Sequence, residues 1–194
     1  MLDYLVENEE YEKACMLSLA MNSGRRKAEL PRFKVDYFTE ENVRFGSLYK
    51  TPEKVKTKGR GQGKYLELYV MKNEFDPYLN LWLKQRDELG IDSEWLFPSK
   101  TDPARHIQVS TMDSWAVSFS RILQKDFYWH SMRHLFCTEC LKKNLPSSVV
   151  QEIVGWESAD MVNLYDDRDA DETLSKYFDE NGIKNIESTT LSSM

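Results

Sequence analysis

The sequence has no long apolar run and few cysteines. Among its 194 residues, no stretch approaches the roughly 18 consecutive apolar residues of a membrane-spanning helix. Its acidic N-terminus, MLDYLVENEEYEK, is unlike a signal peptide. The chain is of medium size and has three cysteines, an uneven number that cannot all be paired. This argues against a disulfide framework. We therefore expect a cytoplasmic protein with reduced thiols and no membrane partner.

What is present is ordinary globular composition. Hydrophobic residues make up 41% of the chain and charged residues 30%, which allows a sizeable core. The length suits one large domain rather than two.

The net charge of −6 is unusual for a protein that binds nucleic acid, but it is unevenly distributed. Residues 1–13 hold five acids and one base, and residues 166–180 hold seven acids and two bases. Residues 14–165 hold 22 bases and 19 acids, a net charge of +3. The overall charge therefore does not exclude a nucleic-acid partner.

Apolar periodicity predicts a mainly α fold with a small antiparallel β-sheet, an α+β class. A glycine-rich turn at residues 59–63 suggests a β-hairpin, and residues 146–148 (Pro-Ser-Ser) are expected to cap a helix that ends at Gly155. Predicted helices span residues 11–20, 25–30, 78–90, 113–123, 130–143, 147–153, 158–165 and 171–178. Predicted strands or alternating segments span residues 33–37, 43–45, 48–50, 54–58 and 65–70.

Four segments stand out when they are taken together. They are residues 23–30 (SGRRKAEL), the lysine-rich hairpin at residues 54–64, residues 130–134 (HSMRH), and Gly155-Trp156 followed nine residues later by Tyr165. Each is weak alone, since an arginine is most often a surface charge and a tyrosine near a helix end is usually a packing residue. Their order and spacing carry the information.

As a set, these segments resemble the tyrosine recombinase (phage integrase) family over about residues 5–180. The family's first box reads approximately Thr-Gly-Leu-Arg-x-Ser-Glu-Leu, which places Arg26 at the catalytic arginine. A hairpin lysine, a His-x-x-Arg-His box and a Gly-His or Gly-Trp pair follow, and the nucleophilic tyrosine comes nine residues on. The 23-residue spacing from Arg133 to Trp156 is also typical of the family. The resemblance implies the family's catalytic-domain fold and a site-specific DNA recombinase.

The implied chemistry explains the residue types. Tyr165 would attack a phosphodiester and form a covalent phosphotyrosine, which conserves the energy of the broken bond. Negative charge then gathers on the non-bridging phosphate oxygens. Two arginines, Arg26 and Arg133, would stabilise this charge, because each can donate paired hydrogen bonds. No cofactor is implied.

The leaving 5′-oxygen needs a proton, which the family takes from its hairpin lysine. Lys56, Lys58 and Lys64 are the candidates. Resemblance favours Lys58, which directly precedes the glycine turn, whereas strand alternation puts Lys54, Lys56 and Lys58 on one side and does not separate them.

The remaining box residues have supporting roles by the same resemblance. His130 is the candidate base for the tyrosine proton or orients the phosphate. Trp156 stands where many members have histidine, and since indole cannot take a proton its role should be binding and packing. We interpret His134 as structural, held by a hydrogen bond in its helix, and Glu29 as a brace for nearby basic groups.

The hairpin is the predicted DNA contact. Residues 54–64 contain five bases and no acid, of which Lys54, Lys56, Arg60 and Lys64 are the expected phosphate contacts beside Lys58. An isolated patch of this kind would more often be a solvated surface. Five neutralised phosphates would give a salt slope of about −4.5.

Three alternatives remain. His130, His134, Cys137 and Cys140 could suggest a zinc site, but four ligands on one helix cannot surround a tetrahedral ion, and buried core cysteines are the commoner case. A catalytically silent DNA-binding protein with the same fold is the second alternative. The third is a type IB topoisomerase-like enzyme.

The resemblance also implies an organisation and partners. We expect one catalytic domain at residues 1–180 without the family's N-terminal DNA-clamping domain, followed by a flexible tail at residues 181–194. Expected partners are double-stranded DNA and further copies of the chain in a tetramer on DNA, with residues 171–178 docking on a neighbour or folding back. The acidic segment 166–180 would compete with DNA, and the setting would be an integrating mobile element or prophage.

Overall fold

In the computed structural model, residues 1–57 and 64–156 are described, together with the backbone of two short strands near the C-terminus; Thr57 and Lys64 are described by their backbone only. This part contains six α-helices, and none of them is long and apolar enough to cross a membrane. The helices are α1 (Leu2–Glu7), α2 (Tyr11–Ser23), α3 (Lys72–Glu88), α4 (Val109–Leu123), α5 (Trp129–Lys142) and α6 (Ser147–Val154).

The strands form three small antiparallel units. The first is a three-stranded sheet in the order β1 (Val43–Arg44), β2 (Leu48–Lys50) and β5 (Tyr69–Met71). The second is a hairpin of β3 (Val55–Thr57) and β4 (Lys64–Leu66), in which Lys56 pairs with Tyr65. The third pairs β6 (Phe178–Asp179) with β7 (Gly182–Ile183).

Helix α2 is the centre of the fold. Its middle, residues 14–20, is buried on every side because its sequence, ACMLSLA, has no charged residue. Helices α1, α3 and α5 and strand β5 pack around it. A second apolar cluster lies under α5 and α6 and includes Phe136, Cys137, Val150, Val154 and Trp156. The α5–α6 end of the molecule therefore has its own small core.

The predicted α+β class, mainly helical with a small antiparallel sheet, is confirmed. The helices predicted at residues 11–20, 78–90, 113–123, 130–143 and 147–153 all form, although α3 begins at Lys72 and contains Pro77. The predicted strand 65–70 is divided, because β4 pairs with β3 whereas β5 pairs with β2. Leu68 lies at the break, where its N–H donates to Thr51 Oγ1 at 2.9 Å.

Two local predictions are wrong. Residues 25–30 do not form a helix, because Gly24 takes a left-handed conformation (φ 59°) that ends α2, and a turn and a 3-10 helix (Leu30–Arg32) follow. Residues 33–37 do not form a strand either. Val35–Phe38 is a 3-10 helix, whose turns allow both Phe33 and Tyr37 to reach the core.

The ends of α6 differ in how well they were predicted. Gly155 terminates the helix in a left-handed conformation (φ 72°), as expected. At the other end, the N-cap is Pro146, the first of the three predicted capping residues. No side chain caps the helix, and the Pro146 carbonyl accepts from the N–H groups of Val149 and Val150.

The C-terminal predictions are mostly outside the described residues. This applies to the helix at 158–165 and to most of the helix at 171–178. Phe178 belongs to β6, so the predicted end of the latter helix is wrong. Strands β6 and β7 flank the predicted start of the tail at residue 181, and that boundary stays a prediction.

Candidate active site

The loop after α2 directs two adjacent arginines to opposite sides. Gly24 both turns the chain and allows a close approach, since a Cβ there would lie 2.5 Å from Phe136 Cδ1 on α5. After this turn, Arg25 enters the interior and is only 2% exposed, whereas the Arg26 side chain is about one-third exposed. Of the two, Arg26 is therefore the more exposed to solvent.

Arg26 is held by a buried carboxylate. Glu29 Oε2 accepts from the backbone N–H of Arg26 at 3.1 Å, and Glu29 Oε1 lies 3.3 Å from Arg26 Nη1. Glu29 is 2% exposed, so this contact is largely shielded from water. The expectation that Glu29 braces a neighbouring base is confirmed.

Arg133 reaches the same loop from α5. It is 1% exposed and donates from Nη1 to the Gly24 carbonyl at 2.7 Å and from Nη2 to the Val154 carbonyl at 3.4 Å. Its guanidinium carbon lies 4.8 Å from the centroid of the Trp156 ring, within cation–π range. The structure thus joins the first arginine box, the second arginine box and the Gly-Trp pair.

Trp156 is placed by the end of α6. Its N–H donates to the Gln151 carbonyl at 3.0 Å, and the Gln151 amide returns a bond to the Trp156 carbonyl at 3.4 Å. The ring is buried beneath Arg133, which agrees with a packing role. A direct contact with phosphate stays a prediction.

The two histidines of the second box lie in the first half of α5. His130 is exposed in the first turn and shares a helix face with Arg133 and His134. His134 Nδ1 lies 3.3 Å from Thr138 Oγ1, one turn later in the same helix. The predicted hydrogen bond of His134 within its helix is confirmed, and the role of His130 as the base stays a prediction.

The hairpin lies beside this centre. A Cβ on Gly155 would lie 2.5 Å from Leu66 Cδ1 of β4, and Arg32 Nη1 donates to the Lys56 carbonyl of β3 at 3.3 Å. Lys54 and Lys56 are both exposed, in agreement with a strand face that can meet DNA. The base of the hairpin therefore lies close to Gly155 at the end of α6 and to Arg32, which follows the first arginine box.

Three predicted site residues, Lys58, Arg60 and Tyr165, lie outside the described residues. Lys64 is described by its backbone only, in register with Thr57. The roles of these four residues stay predictions.

Arg25 is the site residue that sequence reasoning missed. Its Nε donates to the Ser23 carbonyl at 3.2 Å, and its Nη2 donates to the Ile153 carbonyl of α6. Burial, reinforced by the positive charges of Arg133 and Arg26, lowers the pKa of Arg25 to about 10 despite the nearby Glu29 carboxylate. A signal was present, because this position of the first box is apolar in the pattern that the sequence otherwise matches.

The alternative of a zinc site on α5 has little support from the geometry. Cys137 and Cys140 point into the second apolar cluster, where burial raises the pKa of their thiols to about 12 and about 11. Metal-binding thiolates need the opposite shift. Over the described ranges, no three His, Cys, Asp or Glu side chains are grouped to hold a metal ion.

Comparison with known proteins decides the family. The sequence matches the phage integrase family over residues 1–172. The chain belongs to this family. Among curated proteins, it is 31% identical over 186 residues to the SPbeta prophage-derived recombinase-like protein YomM of Bacillus subtilis (strain 168), covering 92% of this chain and 54% of that protein. This integrase-family chain therefore spans about half the length of that relative.

Solved structures of recombinases share the fold. The crystal structure of XerA recombinase superposes with a TM-score of 0.68 at 20% identity, covering 91% of this chain and 60% of XerA. The XerH site-specific recombinase bound to its difH substrate, in a pre-cleavage complex, gives a TM-score of 0.62 at 20% identity, covering 90% of this chain and 50% of XerH. The tyrosine recombinase catalytic-domain fold expected for a phage integrase family member is confirmed.

Proposed function

We propose that this phage integrase family member is a site-specific DNA recombinase that cleaves and rejoins double-stranded DNA through a covalent 3′-phosphotyrosyl intermediate on Tyr165. We further propose that it serves an integrating mobile element or prophage. The observation that carries the proposal is the joining of the two arginine boxes: Arg133 binds the carbonyl of Gly24, two residues before Arg26. An electropositive centre built from distant segments suits a phosphate.

The proposed reaction assigns one step to each of these residues. The Tyr165 oxygen attacks the scissile phosphorus, the phosphorus–O5′ bond breaks, and a 3′-phosphotyrosine forms. The phenolic proton passes to His130, and Lys58, as general acid, donates a proton to the leaving 5′-oxygen. Arg26 and Arg133 stabilise the charge on the non-bridging oxygens, where loss of one preorganised donor typically costs about 100- to 1,000-fold in rate. Religation is the same sequence in reverse and needs no cofactor.

Binding is proposed to follow the hairpin. Lys54, Lys56, Arg60 and Lys64 contact phosphates on either side of the scissile position and carry no sequence information. We propose residues 1–180 as one catalytic domain, followed by a tail at residues 181–194. Further copies of the chain would complete a tetramer on DNA, with residues 171–178 exchanged between neighbours.

A suicide substrate tests the proposal. A nicked duplex carrying a candidate attachment site loses the short 5′-hydroxyl fragment after cleavage, so the adduct cannot reverse. We expect a covalent protein–DNA band on a denaturing gel, formed equally in EDTA and absent for Tyr165→Phe. Retained DNA binding without an adduct for the wild type would contradict the proposal and favour a silent DNA-binding protein.

A further inference from the structure

Arg133 links the ends of two helices. One of its Nη atoms donates to the carbonyl of Gly24, immediately after α2, and the other donates to the carbonyl of Val154, the last residue of α6. Gly24 and Arg133 are 109 positions apart in the sequence, so this is a tertiary link rather than a local cap.

Arg25 makes a second link that runs parallel to the first. Its Nε donates to the carbonyl of Ser23, the last residue of α2, and its Nη2 donates to the carbonyl of Ile153 in α6. The carbonyls used by Arg25 each directly precede those used by Arg133. Two arginines from different segments therefore clamp the same pair of helix ends.

Stability alone does not explain an arginine at this buried position. Moving a guanidinium out of water is costly, and an apolar residue of similar volume often stabilises a core better than a buried charge does. The last carbonyls of a helix partly offset this cost, because they have no partner within the helix and carry its negative end. What an apolar residue cannot supply is the directional link from the loop to α6.

We infer that Arg25 is a positioning residue for strand cleavage, an inference that rests on the proposed function. By fixing the end of α6, Arg25 sets the position of Trp156 relative to the loop that carries Arg26. The proximity of Gly155 supports this, because a Cβ atom added to Gly155 would lie 3.8 Å from Arg25 Nη1. Arg25 acts through these residues and does not itself bind phosphate.

Single-turnover cleavage of the nicked duplex by the full chain tests the inference. For Arg25→Met we expect cleavage at saturating DNA to fall about 10- to 100-fold, since displacements of about 1 Å in an active site have effects of this size. The dissociation constant for DNA should stay within about twofold. Arg25→Lys keeps the charge but cannot bridge with a planar fork, so it should restore only part of the rate.

Arg86 provides a matched control. It is a buried arginine on α3 whose Nη atoms also donate to backbone carbonyls, those of Ser93, Trp95 and Leu96, in the core near α3 rather than at the end of α6. Arg86→Met should lower cleavage only in proportion to the folded fraction. Equal loss for Arg25→Met and Arg86→Met at matched folded fraction, or no loss for Arg25→Met, would overturn the inference.

Hydrogen–deuterium exchange without DNA separates this inference from the proposed function. The N–H groups of Gly155 and Trp156 both donate to the Gln151 carbonyl, so their exchange reports on the end of α6. Exchange over residues 147–156 should accelerate in Arg25→Met and not in Arg86→Met. If the wild type forms no adduct, the proposed function fails, but the exchange measurement still decides whether Arg25 fixes the end of α6. Unchanged exchange in Arg25→Met would refute the inference. Should Arg25→Met not fold, Arg25→Lys decides both measurements.

Discussion

The guanidinium of Arg133 lies over the indole ring of Trp156, with 4.8 Å between its central carbon and the ring centroid. Because the ring covers one face, it helps to fix the plane in which the N–H donors point. A histidine at this position would offer a smaller ring and a titratable nitrogen. Tryptophan at this position therefore packs against the arginine without adding a titratable group.

Gly24 should be unusually intolerant of a side chain. Gly24→Ala places a Cβ in a left-handed conformation and 2.5 Å from Phe136 Cδ1, so we expect a loss of about 2–4 kcal/mol in the free energy of unfolding. Gly90→Ala is the matched control, because Gly90 also has a positive φ (65°) but no atom within 4 Å of its Cβ position. It should cost about 1–2 kcal/mol. Urea denaturation measures both, and equal losses would contradict the close packing of the loop on α5.

Stability at acid pH should depend on Glu53. Its Oε1 accepts from Tyr37 Oη at 2.5 Å and from Lys34 Nζ at 3.0 Å, and the bond from Tyr37, followed by that from Lys34, lowers the pKa of the Glu53 carboxyl. A carboxyl with a lowered pKa stabilises the fold above its ordinary value near 4.5, and this contribution disappears as pH falls through the lowered value.

Glu53→Gln should therefore cost up to about 1 kcal/mol at neutral pH, the usual size for an exposed pair. The difference from wild type should shrink as pH falls below the ordinary carboxyl value and through the lowered pKa of Glu53, as measured by thermal unfolding across pH. In a Tyr37→Phe background, the same substitution should cost less. If the stability difference between Glu53→Gln and wild type instead grew as pH falls, the predicted direction of the pH dependence would be wrong.

The cysteines should be unreactive in the folded protein. Burial raises the pKa of all three thiols, so thiolate is scarce and the sulfur atoms are inaccessible. We expect no labelling by a thiol reagent at pH 8 without denaturant and labelling of all three in urea. Rapid native labelling of Cys137 or Cys140 would contradict their place in the second apolar cluster.

Salt dependence should identify the hairpin as a DNA contact. Each phosphate contact contributes about 0.9 to the slope of log affinity against log salt concentration, so Lys54→Ala and Lys56→Ala should each reduce its magnitude by about that amount. The control is Lys84, an exposed lysine on α3 that pairs with Glu88. Lys84→Ala should leave the slope unchanged. Equal effects from Lys84 and the hairpin lysines would indicate a diffuse charge effect instead.

The sequence predicts the helices well because their apolar residues recur with helical spacing and face one core. It fails where tertiary contacts determine the backbone. Arg25–Leu30 has helix-forming residues, yet Gly24 ends the helix and the Glu29 carboxylate binds the N–H of Arg26, which fixes a turn. Phe33 and Tyr37 are both buried through a 3-10 helix that alternation cannot predict.

The candidate site shows the same division. Arg26, Arg133 and Trp156 could be selected from motif order, and the structure brings their segments together. The apolar position that Arg25 occupies in the first box signals its burial, but its partner could not be predicted, because the Ile153 carbonyl belongs to a helix 128 residues away in the sequence. Motif matching finds residues that meet a substrate more readily than residues that hold those residues in place.

Mapping the attachment point tests the central claim most directly. The protein–DNA adduct is trapped on the nicked duplex, digested with nuclease and protease, and its nucleotide-bearing peptide is identified by mass spectrometry. We predict a nucleotide joined through its 3′-phosphate to Tyr165. A remnant on another of the ten tyrosines, or an adduct that persists in Tyr165→Phe, would contradict it.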